Sequence, residues 1–414
     1  MKRTIAIFAA LAILFSFCGC QGQETHMPDS TEKMTVEDTQ QEVRTEAPSE
    51  TQPDELQDPL EILSREGTIL GQIEDGVCTA ADAGILYSVL TPASQYTMTA
   101  QYRFFRTADQ KDILLGTLED QGYESFYART ELDGIIYALA VTGDPGEDDA
   151  STLWLLAFDP AAETMTKYVV SEDGLAYAAM SAANGRLLIM SHEMTEPKYA
   201  VIREFDPATG TFREVLTFTD KEDSLRGVYA EETGLYLLRL KVEDDSPREL
   251  VLDHYDREYR KISEQPLNDV MIPAALNVPG ILDEAEVIGQ FGMMVSSFAV
   301  VQGRYLFYEN FSLIRMLIDL ESGEALHVSD DVCSMIRGGA WGFFRLGFTV
   351  DETTEPEILL LRDGKLERME FTPADSRSLI TSVTCSPAGT WLIRASDSNA
   401  TDPRADALIV WTDQ

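Results

Sequence analysis

ALIVWTDQ, residues Ala407–Gln414, decides how the rest of the chain is read. An apolar run from Ala407 to Trp411 leads into a Thr-Asp turn signal, and no residues remain for the strand that such a turn would begin. Branched and aromatic residues at this density mark a strand. The Asp marks a hairpin turn, because its carboxylate accepts from backbone N–H groups two residues on. A partner strand must then come from elsewhere in the chain. The same phrase recurs upstream as LLAFDPAAETM at Asp159, VIREFDPATGTF at Asp206, VLDHYDREYRK at Asp256, MLIDLESGEAL at Asp319 and ILLLRDGKLERM at Asp363, with a weaker copy, FFRTADQKDILL, at Asp109.

A second phrase precedes each of these turns: a Gly, read as a turn residue with positive φ, and then a run of apolar and aromatic residues. It occurs at Gly84, Gly134, Gly185, Gly234, Gly303, Gly342 and Gly389, with gaps of 50, 51, 49, 69, 39 and 47 residues. Each unit therefore reads as strand, Gly turn, strand, loop, strand, Asp turn, strand. One such sheet has too little core to stand alone, so repetition at this period predicts an all-β, seven-bladed propeller of four-stranded blades over residues 59–414. Two packed β-sandwiches would not repeat one phrase at near-constant spacing. The missing last strand is expected within Leu60–Ile73, where REGTILGQIE is similar to the fourth-strand phrase RDGKLERMEF at Arg362–Phe371. An N-terminal strand would thus complete the last blade and remove two raw sheet edges.

The pattern resembles the bacterial seven-bladed propellers of the WD-repeat-like and TolB-like groups. CSPAGTWLI at Cys385–Ile393 is similar to the turn of TolB-like blades, with Ala388 where that group has Asp. No Trp-Asp dipeptide closes the blades, and the paired glycines of kelch repeats occur once, at Gly338 and Gly339. The resemblance implies architecture and assigns no functional residue.

The N-terminus, MKRTIAIFAALAILFSFCGCQG, has a basic start and an apolar run from Ile5 to Phe17, which is a secretory signal by charge and length. Gly19 before Cys20 resembles the bacterial lipoprotein signal. The resemblance implies cleavage after residue 19 and a diacylglycerol on Cys20; Cys18 follows bulky Phe17 and is the poorer acceptor. Residues 20–58 are expected to be a disordered acidic tether. Gln21–Asp58 holds eleven acids against Lys33 and Arg44 and has too little apolar content to offset its ordering entropy. Fully extended, it would reach roughly 130 Å. The expected location is the extracytoplasmic face of a cell membrane, held by lipid.

The whole chain carries a formal net charge of −39. That argues against a nucleic-acid partner, since phosphate contacts need a positive surface, and against docking the protein body on anionic lipid. Cys78, Cys333 and Cys385 are too few and scattered for a disulfide framework and read as thiols, of which one pair could close. No Gly-x-Ser-x-Gly elbow is present. His26, His192, His254 and His327 fall at different strand positions, and the acidic loops Gly143–Ser151 and Lys241–Pro247 lack calcium-loop order. No metal, cofactor or catalytic residue is therefore expected. The 69-residue gap holds an apolar insert within Pro266–Met294, read either as packing over a blade or as a docking loop presenting Ile272, Leu276, Val278, Ile281, Leu282 and Phe291. The function expected is that of a monomeric, lipid-anchored binding scaffold for a protein or glycan. A carbohydrate-active enzyme with paired carboxylates in the channel is the alternative.

Overall fold

The computed structural model describes residues 68–412 except 75–77, 94–96, 123–128, 143–151, 173–174, 194–199, 220–222, 244–245, 278–282, 292–294, 311–313, 330–332, 337–340, 346–356, 370–377, 388–389 and 398–404. The signal, Cys20 and the tether lie outside these residues, as do Val278, Ile281 and Leu282. The described residues are all-β with two short helices, α1 (Asn268–Ala275) and α2 (Glu284–Phe291).

The strands form antiparallel sheets of four in chain order. Four-strand groups cover residues 175–218, 223–266, 295–329 and 333–369. Residues 78–122 and 129–171 each supply four more strands, joined into one path by the single register pair Gln121 and Thr142. In the terminal sheet Thr68–Glu74 pairs antiparallel with Ala405–Thr412, which pairs in turn with Thr390–Asp397 and Ser378–Cys385. The register runs from Thr68 opposite Val410 to Glu74 opposite Ala405.

Hydrophobic faces of successive sheets supply the core. In Ile135–Thr142, Ile136, Ala138 and Ala140 pack towards the 78–122 strands, while Tyr137 and Leu139 pack towards the 175–218 sheet. A central strand buried on both faces must be apolar at nearly every position, which is why the second strands read as unbroken apolar runs. The outermost strands alternate instead: Thr211–Phe218 keeps every residue at least partly accessible. The innermost strands also lie side by side. Leu175–Ala183 touches Arg129–Leu132 and Asp223–Ala230, Asp223–Ala230 touches Val295–Val301, and Ser378–Cys385 touches both Cys333–Ile336 and Cys78–Ala81.

Among the described residues the recurring Gly does two different jobs, and Gly389 lies outside them. Asp133-Gly134, Asn184-Gly185 and Gln302-Gly303 have positive φ at both residues, the two-residue turn whose twist suits a hairpin. Gly84, Gly234 and Gly342 stand instead where the third strand crosses closely. A Cβ on Gly234 would sit 1.9 Å from the Tyr255 carbonyl oxygen, and one on Gly342 at 1.9 Å from that of Leu359. The expectation of a positive-φ turn residue is therefore corrected at Gly234 and Gly342 to one of close backbone approach. Gly234→Ala is expected to cost about 2–3 kcal/mol by overpacking. A urea midpoint unchanged from wild type would refute this.

The Asp turns form as their chemistry requires. Asp159 accepts from Ala161 and Ala162 N–H at 2.9 Å each, and Asp206 from Ala208 N–H at 2.9 Å and Thr209 Oγ1 at 2.8 Å. These bonds hold the Asp206 carboxyl below its ordinary value, the Thr209 hydroxyl contributing most. Cys385 is buried, its thiol donating to the Ser386 carbonyl at 3.4 Å, whereas the Cys78 and Cys333 side chains lie outside the described residues.

Candidate functional site

Antiparallel order puts the described Gly turns and Asp turns at one end of their sheets and the remaining connections at the other. The turn end is tied sheet to sheet. Thr384 Oγ1 accepts from Ala80 N–H at 3.0 Å, Glu131 Oε2 from Asp82 N–H at 3.0 Å, and Ser181 Oγ from Ala230 N–H at 2.8 Å. Glu232 carbonyl oxygen accepts from Asn184 Nδ2 at 2.8 Å and Arg257 Nε at 2.9 Å, and the Pro160 carbonyl from Arg106 Nη2 at 3.0 Å.

Within this belt Glu131 is set apart. Burial raises its carboxyl from the ordinary 4.5 to about 7, the Asp82 charge adds to this, and the Asp82 N–H bond works against both. The native state then keeps a proton that the unfolded chain has already released. Stability from this group is full below the ordinary carboxylate range and is lost as pH rises from about 4.5 towards about 7. Glu131→Gln is expected to flatten that part of the stability profile. Parallel profiles for wild type and variant between pH 4 and 8, by urea midpoint, would refute it.

The insert lies at the opposite end, between the 223–266 and 295–329 sheets. The helices are held by polar hooks. Asp283 Oδ1 accepts from Glu286 N–H at 2.9 Å, capping α2. Asn268 side chain continues the sheet ladder, accepting from Leu250 N–H at 3.0 Å and donating to the Arg248 carbonyl at 2.9 Å. Buried Asn310 donates to the Gln290 carbonyl at 3.1 Å and accepts from Ile314 N–H at 3.0 Å, binding α2 to the strand connection beside it. Met271, Ile272, Ala274, Ala275, Val287 and Phe291 pack with Leu250, Leu252, Met316 and Ile318 in one core cluster. Phe291 meets Tyr308 edge to face, ring centres 5.9 Å apart.

The six insert residues singled out in the sequence thus divide. Ile272 and Phe291 are interior, Leu276 at the C-terminal end of α1 is 41% exposed, and Val278, Ile281 and Leu282 lie outside the described residues. Asn268 and Asn310 were missed: nothing in a single Asn marks it as a ladder extension until the strand beside it is placed.

Several charged side chains elsewhere are matched internally. In the 223–266 sheet Asp253, wholly buried, receives Arg239 Nε at 2.6 Å and Lys261 Nζ at 2.9 Å. Glu264 receives Arg239 Nη2 at 3.1 Å, Lys241 Nζ at 2.7 Å and Lys261 Nζ at 2.5 Å. The two lysine hydrogen bonds, Lys241 first, hold Glu264 down to about 2, the opposite of what a proton donor needs. Glu309 takes Arg315 Nε at 3.1 Å and reaches the next sheet, its Oε2 accepting from Met335 N–H at 3.4 Å. His192, His254 and His327 stand on three different sheets, His254 stacked on Tyr236 with ring centres 4.4 Å apart. Among the described residues no group of three His, Cys, Asp or Glu is placed to hold a metal ion, and no helix is long and apolar enough to cross a membrane.

No protein-family model matches the chain, and comparison with curated proteins returned no match. Among solved structures, it is similar to that of U3-55K (TM-score 0.46, 9% identity) and to the WD40 repeats of RRP9 (0.47, 9%). It is also similar to the WD40 β-propeller domain of Doa1 (0.41, 12%). Each comparison covers 84% of this chain and 98% of the other.

Proposed function

We propose that residues 59–414 form a seven-bladed propeller closed by the Thr68–Glu74 strand, and that this propeller is an exported, lipid-anchored binding scaffold for a protein ligand. The ring reading rests on the order of packing: each innermost strand that meets another meets that of an adjacent four-strand group, and Ser378–Cys385 meets Cys78–Ala81. Anchoring rests on the N-terminal sequence and Cys20. The acidic tether would set the propeller away from the lipid surface.

One observation carries the binding reading over catalysis. The buried carboxylates Asp253, Glu309 and Asp319 are all engaged by Arg or Lys within their own sheets, while the insert end leaves Leu276 exposed on a helix whose other apolar residues are buried or half-buried. The experiment is capture from detergent-solubilised membranes by wild type and by Leu276→Asp. The substitution is expected to change stability by less than about 0.5 kcal/mol, being on the surface, and to abolish capture of the partner. Equal capture by both proteins would remove the insert from the binding surface. Cys20→Ala is the matching test of the anchor, with release from the membrane fraction as the expected result.

A second reading, a carbohydrate-active enzyme, draws on Glu131, whose raised affinity for a proton suits a general acid. Hydrolysis of a glycan panel that is lost in Glu131→Gln would favour it.

A further inference from the structure

The chain holds five asparagines, and one of them, Asn184, precedes a glycine; the others precede Asp269, Val278, Phe311 and Ala400. A main-chain nitrogen that follows Asn can attack the side-chain carboxamide, and a glycine there puts no Cβ in the way. Asn184 and Gly185 are both exposed, and a Cβ on Gly185 would meet nothing within 4 Å. Solvent base therefore reaches the pair.

Two features of the fold hold that reaction back. The turn has φ of 51° and 70°, with Ala183 opposite Arg186, and ring closure requires the Asn184 backbone to leave this left-handed conformation. Asn184 Nδ2 also donates to the Glu232 carbonyl at 2.8 Å, which ties the carboxamide to the neighbouring sheet. The same carbonyl accepts from Arg257 Nε at 2.9 Å and Nη2 at 2.5 Å. The Asn184 amide and the Arg257 guanidinium thus each stand one hydrogen bond from a single oxygen. A carboxylate at 184 would lose its donor to that oxygen and find the guanidinium beside it.

We propose that Asn184 is a site of spontaneous deamidation, timed by opening of the seam between the 175–218 and 223–266 sheets, and that Arg257 takes over the aspartate it forms. In this step the Gly185 amide gives its proton to solvent base and its nitrogen bonds to Asn184 Cγ. The side-chain nitrogen takes a proton and leaves as ammonia. Water then opens the cyclic imide at either carbonyl, giving aspartate or isoaspartate, and no oxidant or cofactor is consumed. Isoaspartate adds a methylene to the main chain, which the two-residue turn between Ala183 and Arg186 cannot absorb without losing its register. Aspartate keeps the main chain and exchanges one tie across the seam for another. The seam lies at the turn end, so the inference is independent of the Leu276 surface.

The test incubates the intact chain in mildly alkaline buffer and maps its peptides by mass spectrometry, which reads amide-to-acid conversion at every asparagine. Conversion is expected at Asn184 first. It is expected to run about tenfold or more faster in denaturing urea than in buffer, since the native chain reacts only while the seam is open. No conversion at Asn184, or equal rates in urea and in buffer, would overturn the proposal. Urea midpoints of Asn184→Asp, Arg257→Ala and the double variant then test the take-over. Arg257→Ala is expected to lower the midpoint of Asn184→Asp by more than it lowers that of wild type. Equal shifts would show that Arg257 does not engage the new carboxylate, and would overturn that half of the proposal.

Discussion

A fragment beginning at Cys78 is expected to lose most of the stability that a fragment beginning at Pro59 retains. The difference between them includes Thr68–Glu74, the strand that covers Ala405–Thr412. Six register pairs join the two strands. With each hydrogen bond contributing about 0.5–1.5 kcal/mol net, the loss is on the order of 3 kcal/mol or more, against about 5–15 kcal/mol for a whole domain. It also leaves Ala405–Thr412 as a raw edge, so the shorter fragment should associate at micromolar concentration. A peptide spanning residues 66–76, supplied separately, is expected to raise the urea midpoint of the fragment and suppress its association. Equal midpoints for the two fragments would show that the terminal strand covers the sheet without stabilising it.

Asp253→Ala is expected to be the most damaging single charge removal, costing about 3–5 kcal/mol. Asp253 is wholly buried and holds the 5%-exposed Arg239 at 2.6 Å and Lys261 at 2.9 Å. Its loss leaves the buried Arg239 guanidinium without its shortest carboxylate contact, facing the partly exposed Glu264 at 3.1 Å. Arg304→Ala removes an ion pair of similar length with Asp319, but the arginine is 43% exposed and water takes over, so a much smaller loss than for Asp253→Ala is expected. Replacing Arg239 and Asp253 together by Met and Leu should recover much of the Asp253→Ala loss, since no charge is then left buried. Chemical denaturation of the four proteins decides this. A cost below about 1 kcal/mol for Asp253→Ala would mean that Arg239 finds water or another partner.

Strand and turn order could be read from the residues alone because it depends on local chemistry. Asp159, Asp206 and Asp256 bond to their own turns, Asp133-Gly134 and Asn184-Gly185 make hairpins, and apolar runs mark strands wherever they occur. The pairing of an N-terminal segment with Ala405–Thr412 followed from counting strands. Three features needed the tertiary structure. Gly234 and Gly342 look like the other glycines of their phrase, yet their role comes from a carbonyl on a neighbouring strand. Leu276 and Phe291 are both large and apolar within one insert, and only the packing of α1 and α2 against Leu250 and Met316 exposes the first and buries the second. Asp253 is one acid among many in the sequence. Burial between sheets, and the meeting of Arg239 and Lys261 from the two flanking strands, is what turns it from a solvated charge into a structural one.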